Sequence, residues 1–154
     1  MEQGLHRAKL WFVGVCGAVT AVFGWLGWLV IGWVACMALD YLTGSIAAAR
    51  QGQWSSAAAR EGLFHKLGMI AAVLVAAAAD GLFGVVLNEL PGAALPISYR
   101  AVVCPLVLCW YIVTELGSVC ENAEAMGAVL PPFLHKILAV VKTETEQAGE
   151  QTKE

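Results

Sequence analysis

The sequence predicts an all-α integral membrane protein with about four membrane segments and a C-terminal amphipathic helix at the membrane surface. Hydrophobic residues make up 59% of its 154 residues and charged residues only 14%, whereas soluble domains average about 45–50% and about 25%. No charged residue occurs between Lys9 and Asp40, and a membrane helix needs only about 20 apolar residues. A chain of this length has no soluble shell large enough to bury such a segment.

The first apolar block, residues 10–39, is too long for one simple span. As a helix it would reach about 45 Å, against a hydrocarbon core of about 30 Å. The glycines and tryptophans of GWLGW, residues 24–28, offer a break at the headgroup level. We therefore predict a hairpin of two segments, about 9–24 and 27–49. A re-entrant first segment that does not fully cross remains an alternative. The length of the block argues against a cleaved signal peptide.

The next stretch, residues 50–66, is polar and basic, and we interpret it as a loop on the membrane surface. Either Ser55 or Ser56 is suited to cap a short helix within it, because serine is a favoured N-cap residue.

Two further membrane segments are predicted at about 67–88 and 101–120. Asp80 interrupts the first of them, and a proline-containing loop over 88–100 separates the two. With the N-terminal hairpin they form a transmembrane helical domain over residues 1–128.

The C-terminal part, residues 129–154, has a different character and is predicted to be a cytoplasmic amphipathic helix with a charged tail. Prolines 131 and 132 favour a helix start. The apolar residues that follow share one helical face, which is typical of a helix lying on a membrane: Phe133, Leu134, Ile137, Leu138 and Val141. A helix that docks a partner is the alternative. We expect the last dozen residues to be disordered.

The distribution of basic residues favours four segments. In that topology the N-terminus, the 50–66 loop and the C-terminal tail share one side, which then holds eight of the nine Lys and Arg residues, with only Arg100 opposite. Three segments would divide them three against six. Because cytoplasmic loops carry the excess of basic residues, both termini are predicted to be cytoplasmic in a bacterial cytoplasmic membrane.

Carboxylates in or beside apolar segments are the main candidates for function. Asp40 lies near the end of the second segment and Asp80 lies deep in the third, where an ionisable group is costly and marks a functional site by default. We expect them at subunit contacts or in a pore, with static helix pairing as the alternative. Glu115, Glu121 and Asn122 would form an acidic ring if several copies assemble, unless they simply belong to a solvated helix end.

Small residues form stripes that favour close helix packing within or between subunits. The stripe in the first segment consists of Gly14, Gly17, Ala18, Ala21 and Gly24. The stripe in the third segment consists of Gly68, Ala72, Ala76 and Ala79.

Nothing in the sequence indicates an enzyme. The five cysteines lie in apolar stretches without metal-ligand spacing, and no nucleophile elbow, phosphate loop or zinc-protease motif occurs. We expect no catalytic residue, cofactor, metal ion or nucleic-acid partner.

Two ordered sets of residues resemble the toxin-secretion and phage-lysis holin family. The resemblance covers residues 10–142, and the position of Asp80 belongs to it as well. The first set comprises Asp40, Tyr41, Thr43, Gly44, Ser55, Ser56, Gly62 and Lys66, and the second Glu115, Glu121 and Asn122. Many holins end in a strongly basic tail, whereas from Pro131 onward this chain has three lysines against four glutamates.

The resemblance implies a protein that homo-oligomerises in the cytoplasmic membrane and opens lesions for a cell-wall hydrolase or a large toxin. These cargo proteins would be functional partners, alongside the lipid bilayer and other copies of the chain. A structural scaffold protein and a small oligomeric channel are the alternatives.

Overall fold

The computed structural model describes residues 6–7, 9–11, 13–15, 17, 24–89 and 101–151. These residues form helices and short connections without a strand, which confirms the predicted all-α class. The main helices are α1 (Leu26–Arg50), α2 (Ser56–Glu89), α3 (Val103–Ala125) and α4 (Pro132–Gln151). The described residues between 6 and 17 are also helical. The rest of the predicted first segment, and much of its small-residue stripe, lie outside the described residues.

Three helices of the described part are long and apolar enough to cross a membrane. They are α1, residues Ser56–Leu87 of α2, and α3. They correspond to the predicted second, third and fourth segments, so the structure supports a multi-spanning protein.

The connection between α1 and α2 is much shorter than the predicted surface loop over 50–66. At the end of α1, Gly52 adopts φ +67°, and the N–H groups of Gly52 and Gln53 bond to the carbonyls of Ala49 and Ala48. This pattern is a Schellman motif, which ends a helix at a glycine. Helix α2 then begins at Ser56. The polar residues that follow are good helix formers, so this stretch can lie outside lipid and still be helical.

The predicted N-cap is confirmed at Ser55. Its Oγ accepts a hydrogen bond from the Ala58 N–H at 3.1 Å. Ser56 is therefore the first residue of a 34-residue helix, and the short capped helix expected here continues without interruption into the third membrane segment.

Helices α1 and α3 run parallel to each other, and α2 runs antiparallel to both. Trp33 stacks on Tyr111 with ring centroids 5.9 Å apart, and further along both helices the guanidinium of Arg50 donates to the carbonyl of Met126 at 3.1 Å. By contrast, Lys66 near the start of α2 contacts the later halves of α1 and α3, while Asp80 contacts the start of α3.

Helix α3 lies at the centre, where it contacts each of the other three helices. The buried core between the membrane helices is made mainly of apolar side chains, namely Trp33, Met37, Met69, Val73, Ala76, Cys104 and Leu108. Ala76 of the predicted second stripe thus packs within the subunit, whereas Gly68 of the same stripe is exposed.

The outer surface of α2 is strongly apolar. Leu74, Val75 and Leu82 are 58%, 69% and 67% exposed. Such large side chains pointing outward are expected on a helix surrounded by lipid or by other membrane helices.

The C-terminal helix α4 begins at Pro132, as the sequence predicts, but extends through Gln151. The expected disorder of the last dozen residues is therefore wrong for 143–151, while 152–154 lie outside the described residues. The glutamates and glutamines of this stretch are good helix formers outside lipid, and the Trp110 indole N–H of α3 donates to Glu146 Oε1 at 2.9 Å. Phe133 and Ile137 of the predicted apolar face are exposed.

Candidate functional site: a polar cluster inside the helix bundle

The centre of the candidate site is the ammonium group of Lys66. Its Nζ lies 2.8 Å from Asp40 Oδ2 of α1 and 2.6 Å from Glu115 Oε2 of α3. The side chains of Lys66 and Glu115 are only 12% and 4% exposed. One cation on α2 therefore connects the two parallel helices through carboxylates that would otherwise repel each other.

Asn122 extends this cluster toward the ends of α1 and α3. Its Nδ2 donates to Asp40 Oδ1 at 3.0 Å and lies 3.2 Å from Thr43 Oγ1. The Thr43 hydroxyl in turn donates to the carbonyl of Leu39 at 2.9 Å. We call Asp40, Thr43, Lys66, Glu115 and Asn122 the polar cluster.

Gly44 makes this approach possible. A Cβ atom at this position would lie 3.3 Å from Asn122 Nδ2, which is tighter than an ordinary van der Waals contact. The absence of a side chain therefore allows α1 and α3 to come together beside the cluster, as small residues do at membrane helix interfaces.

The polar cluster lies well inside the bundle. Asp40 is ten residues before the end of α1, and Glu115 is ten residues before the end of α3, which corresponds to about 15 Å along each helix. In a low-dielectric interior an unpaired charge is costly, so the mutual pairing of these groups is what makes their burial tolerable.

A second carboxylate, Asp80, has a separate location and a separate partner. It lies about 21 Å along α2 from Lys66, and only 7% of the residue is exposed. Its Oδ1 accepts from the N–H groups of Val102 and Val103, both at 3.0 Å, and its Oδ2 accepts from Cys104 at 2.7 Å. Asp80 therefore caps the beginning of α3.

The residues at the start of α3 fit this cap closely. The first N–H groups of a helix have no partners within the helix. Asp80 binds the N–H groups up to Cys104, and the next residue, Pro105, has no N–H group. The Leu106 N–H already bonds to the carbonyl of Val102 at 3.3 Å. The negative charge of the cap also complements the positive end of the helix dipole.

The remaining predicted residues other than Ser56 line an open cavity of about 340 Å³ between α1, α2 and the later half of α3. Its wall includes Tyr41, Gly44, Ser55, Gly62 and Glu121, and both Asp40 and Lys66 contribute to it. Of these, Tyr41 is 42% exposed. Glu115 and Glu121 therefore differ, because Glu115 lies inside the bundle whereas Glu121 is exposed.

Sequence reasoning placed Lys66 in a surface loop and did not pair it with any carboxylate. Its two partners are 26 and 49 residues away in the sequence. Hydropathy and helical periodicity are local properties, so they do not predict these contacts. The contacts of Trp110 with α4 were missed for the same reason. The basic residue at the edge of an apolar segment was the one available signal.

No cluster of His, Cys, Asp and Glu suited to a metal ion occurs among the residues that the structure describes. The chemistry of the site is that of charge pairing and helix capping, which hold a polar layer inside an otherwise apolar bundle.

Comparison with known proteins identifies one family. The sequence model of the bacteriophage holin family matches residues 17–143, a range that includes the polar cluster, Asp80 and most of α4. No curated protein matches the chain. No solved structure matches it either.

Proposed function

The chain belongs to the bacteriophage holin family, and from this premise we propose that it assembles with copies of itself and opens lesions in the bacterial cytoplasmic membrane. The lesions would release a cell-wall hydrolase, which lyses the host, or a large toxin. The family and the three apolar helices make it a multi-pass protein of that membrane. Oligomerisation, lesion formation and the identity of the cargo are parts of the proposal.

The observation that carries the proposal is a polar cluster inside a bundle whose membrane helices are apolar on the outside. The polar cluster pairs Asp40 and Glu115 with Lys66 within one subunit, so these three side chains contact one another instead of facing lipid. Its outer surface, especially on α2, remains available to lipid or to neighbouring copies. Such a protein can accumulate in the membrane before it assembles.

The parallel arrangement of α1 and α3 supports the proposed orientation. Both helices end on the same side of the bundle, where Arg50 contacts Met126, and the connection to α2 lies on that side too. Arg50, Arg60 and Lys66 are all near this end. We place it on the cytoplasmic side, because basic residues are retained there. The N-terminus is then cytoplasmic if the predicted first segment crosses the membrane, and the C-terminus is cytoplasmic when α4 lies on the membrane surface and not along α3.

Induced expression in a bacterial host, with and without a hydrolase that lacks a signal sequence, tests this function. We expect an abrupt fall in culture density after a delay, only when the hydrolase is present, together with leakage of a cytoplasmic protein. Continued growth in both cultures, with the protein inserted in the membrane, would contradict the proposal.

The variant Lys66→Met connects the function to the polar cluster. It leaves Asp40 and Glu115 without their cation, and removing one partner of a buried pair costs about 3–5 kcal/mol. We expect a lower amount of inserted protein or a loss of the timed onset of lysis. Arg60→Met is the matched control, because Arg60 is an exposed cation of the same helix. Equal lysis by both variants would show that lysis does not require the polar cluster.

A further inference from the structure

Helix α3 has a second polar side, which contributes no hydrogen bond to the polar cluster but borders the cavity beside it through Ser118 and Glu121. Thr114, Gly117, Ser118 and Glu121 follow one another at helical spacing and line a cavity of about 260 Å³ between α3 and α4. We call these four residues the polar stripe. They lie on a different side of α3 from Leu108 and Glu115, which face the other membrane helices.

Helix α4 covers Thr114, Gly117 and Ser118 of this stripe, whereas Glu121 at its end is exposed. It runs antiparallel to α3, from His135, whose Nε2 lies 3.1 Å from Glu124 Oε1, to Glu146, which accepts the indole hydrogen bond of Trp110. Between these contacts lies a length of about 21 Å of α3. Leu138 and Lys142 of α4 are half-buried against the stripe.

The contacts that hold α4 against α3 are individually weak. The hydrogen bond between Trp110 and Glu146 is exposed, and the Lys142 ammonium lies 4.9 Å from the centroid of the Trp110 ring. Exposed pairs of this type contribute little each. The cavity also shows that the two helices are incompletely packed. By contrast, α3 is held to α1 and α2 by buried ion pairs and by the apolar core.

The connection between the two helices also allows α4 to move as a unit. Gly127 ends α3 with φ +94°, and the N–H of Ala128 bonds to the carbonyl of Ala123, so the end of α3 is satisfied without α4. Prolines 131 and 132 then start α4 independently. Departure of α4 therefore costs α3 none of its own terminal hydrogen bonds.

The charged side chains of α4 and the polar side chains of the stripe both require a polar environment. Helix α4 contains Lys136, Lys142, Glu144, Glu146 and Glu150, and charged side chains are costly in hydrocarbon. The stripe beneath it is polar as well. Neither surface is suited to lipid at the depth of a membrane helix. A protomer with α4 along α3 must therefore turn the exposed charges of α4 to water or to polar groups of other copies, and a bundle that loses α4 must do the same with the stripe.

We propose that α4 is a removable strap over the polar stripe of α3, and that its release turns the stripe toward the aqueous lumen between copies of this chain. The role in a lumen rests on the proposed function, whereas the covering of the stripe by α4 does not. Strap release would then be the step that converts an inserted protomer into one that can line a lesion.

Thiol labelling at position 117 tests the strap directly. In Gly117→Cys a new Cβ meets no atom within 4 Å, so the probe fits without disturbing α3. In open membrane fragments, we expect a membrane-impermeant maleimide to label it slowly, above the baseline of the same chain without the substitution. Adding Lys142→Gln and Glu146→Gln, which remove the charged partners of Trp110, should raise the labelling rate by about tenfold, as expected for a loss of about 1.4 kcal/mol.

Lys136→Gln with Glu150→Gln is the matched control, because it removes one cation and one anion from exposed positions of the same helix. This pair should leave the labelling rate unchanged. Equal labelling in all three backgrounds would overturn the strap, and so would a loss of labelling on release, since the stripe would then face lipid. Faster labelling together with an absence of lysis would support the strap and count against the lesion function alone.

Discussion

Asp80 and Lys66 are two ionisable residues of α2 that contact other helices in different ways. Lys66 forms ion pairs with one carboxylate of α1 and one of α3, whereas Asp80 accepts hydrogen bonds from the backbone at the start of α3. The sequence predicts that Asp80 is functional, in a pore or at a subunit contact. The structure gives its carboxylate a partner within the subunit, and a role between subunits remains a prediction.

Replacing Asp80 tests how much the cap stabilises α3. Asp80→Asn removes the negative charge, and hydrogen bonds to charged groups contribute about 1.5–3 kcal/mol. Asp80→Leu leaves the N–H groups of Val102, Val103 and Cys104 without their acceptor and should destabilise the protein more. We expect a lower thermal midpoint in detergent for both variants, and delayed lysis with insertion retained for Asp80→Leu.

Glu61→Gln is the control for this comparison, since Glu61 is an exposed carboxylate of the same helix. It should melt like the parent chain. If Asp80→Asn also melts like the parent, the cap is unimportant for stability. Normal lysis timing in Asp80→Leu would exclude Asp80 from the mechanism.

Between helices, the close approach of α1 and α3 depends on one glycine. Gly44→Leu would place a large side chain where a Cβ alone already lies 3.3 Å from Asn122. We expect the two helices to separate beside the polar cluster, with a loss of about 1–3 kcal/mol, the usual cost of overpacking. Thermal unfolding in detergent measures this loss.

Gly32→Leu is the matched control on the same helix. A Cβ at Gly32 meets nothing within 4 Å, and the residue is exposed, so leucine there should be tolerated. A similar loss of stability in both variants would mean that helix geometry in general, and not the contact with Asn122, is responsible.

The helices themselves were largely predictable, because long apolar runs and their polar interruptions are local properties of the sequence. The second to fourth predicted segments correspond to helices α1, α2 and α3, which are long and apolar enough to cross a membrane, and Ser55 was a correct candidate for the cap. The boundary of α2 was wrong, since charged residues such as Arg60 and Glu61 are good helix formers outside lipid. The length of α4 was wrong for the same reason, since its polar end contains glutamates and glutamines that are good helix formers.

At the scale of the whole molecule, the bundle combines a firmly held part with a loosely held one. Helices α1, α2 and α3 share the apolar core and the polar cluster, whereas α4 joins them through exposed contacts. The candidate site was predictable as a set of unusual carboxylates, but their partners were not, because pairing across helices depends on how the bundle packs.

A holin, a selective channel and a scaffold protein differ in what passes through the membrane that holds them. A holin lesion passes folded protein, a selective channel passes ions with a defined unit conductance, and a scaffold leaves the membrane closed. The apolar exterior and the internally paired charges are compatible with insertion in each case, so the size of the released solute is the property that distinguishes them.

The most direct measurement is release from lipid vesicles that contain the purified full chain and are loaded with both a small dye and a folded fluorescent protein. We predict that, above a threshold density of the chain in the membrane, both solutes leave the same vesicles together. Release of the dye alone would indicate a small channel. Retention of both solutes, at a density where the chain is fully inserted, would contradict the proposal that it forms lesions.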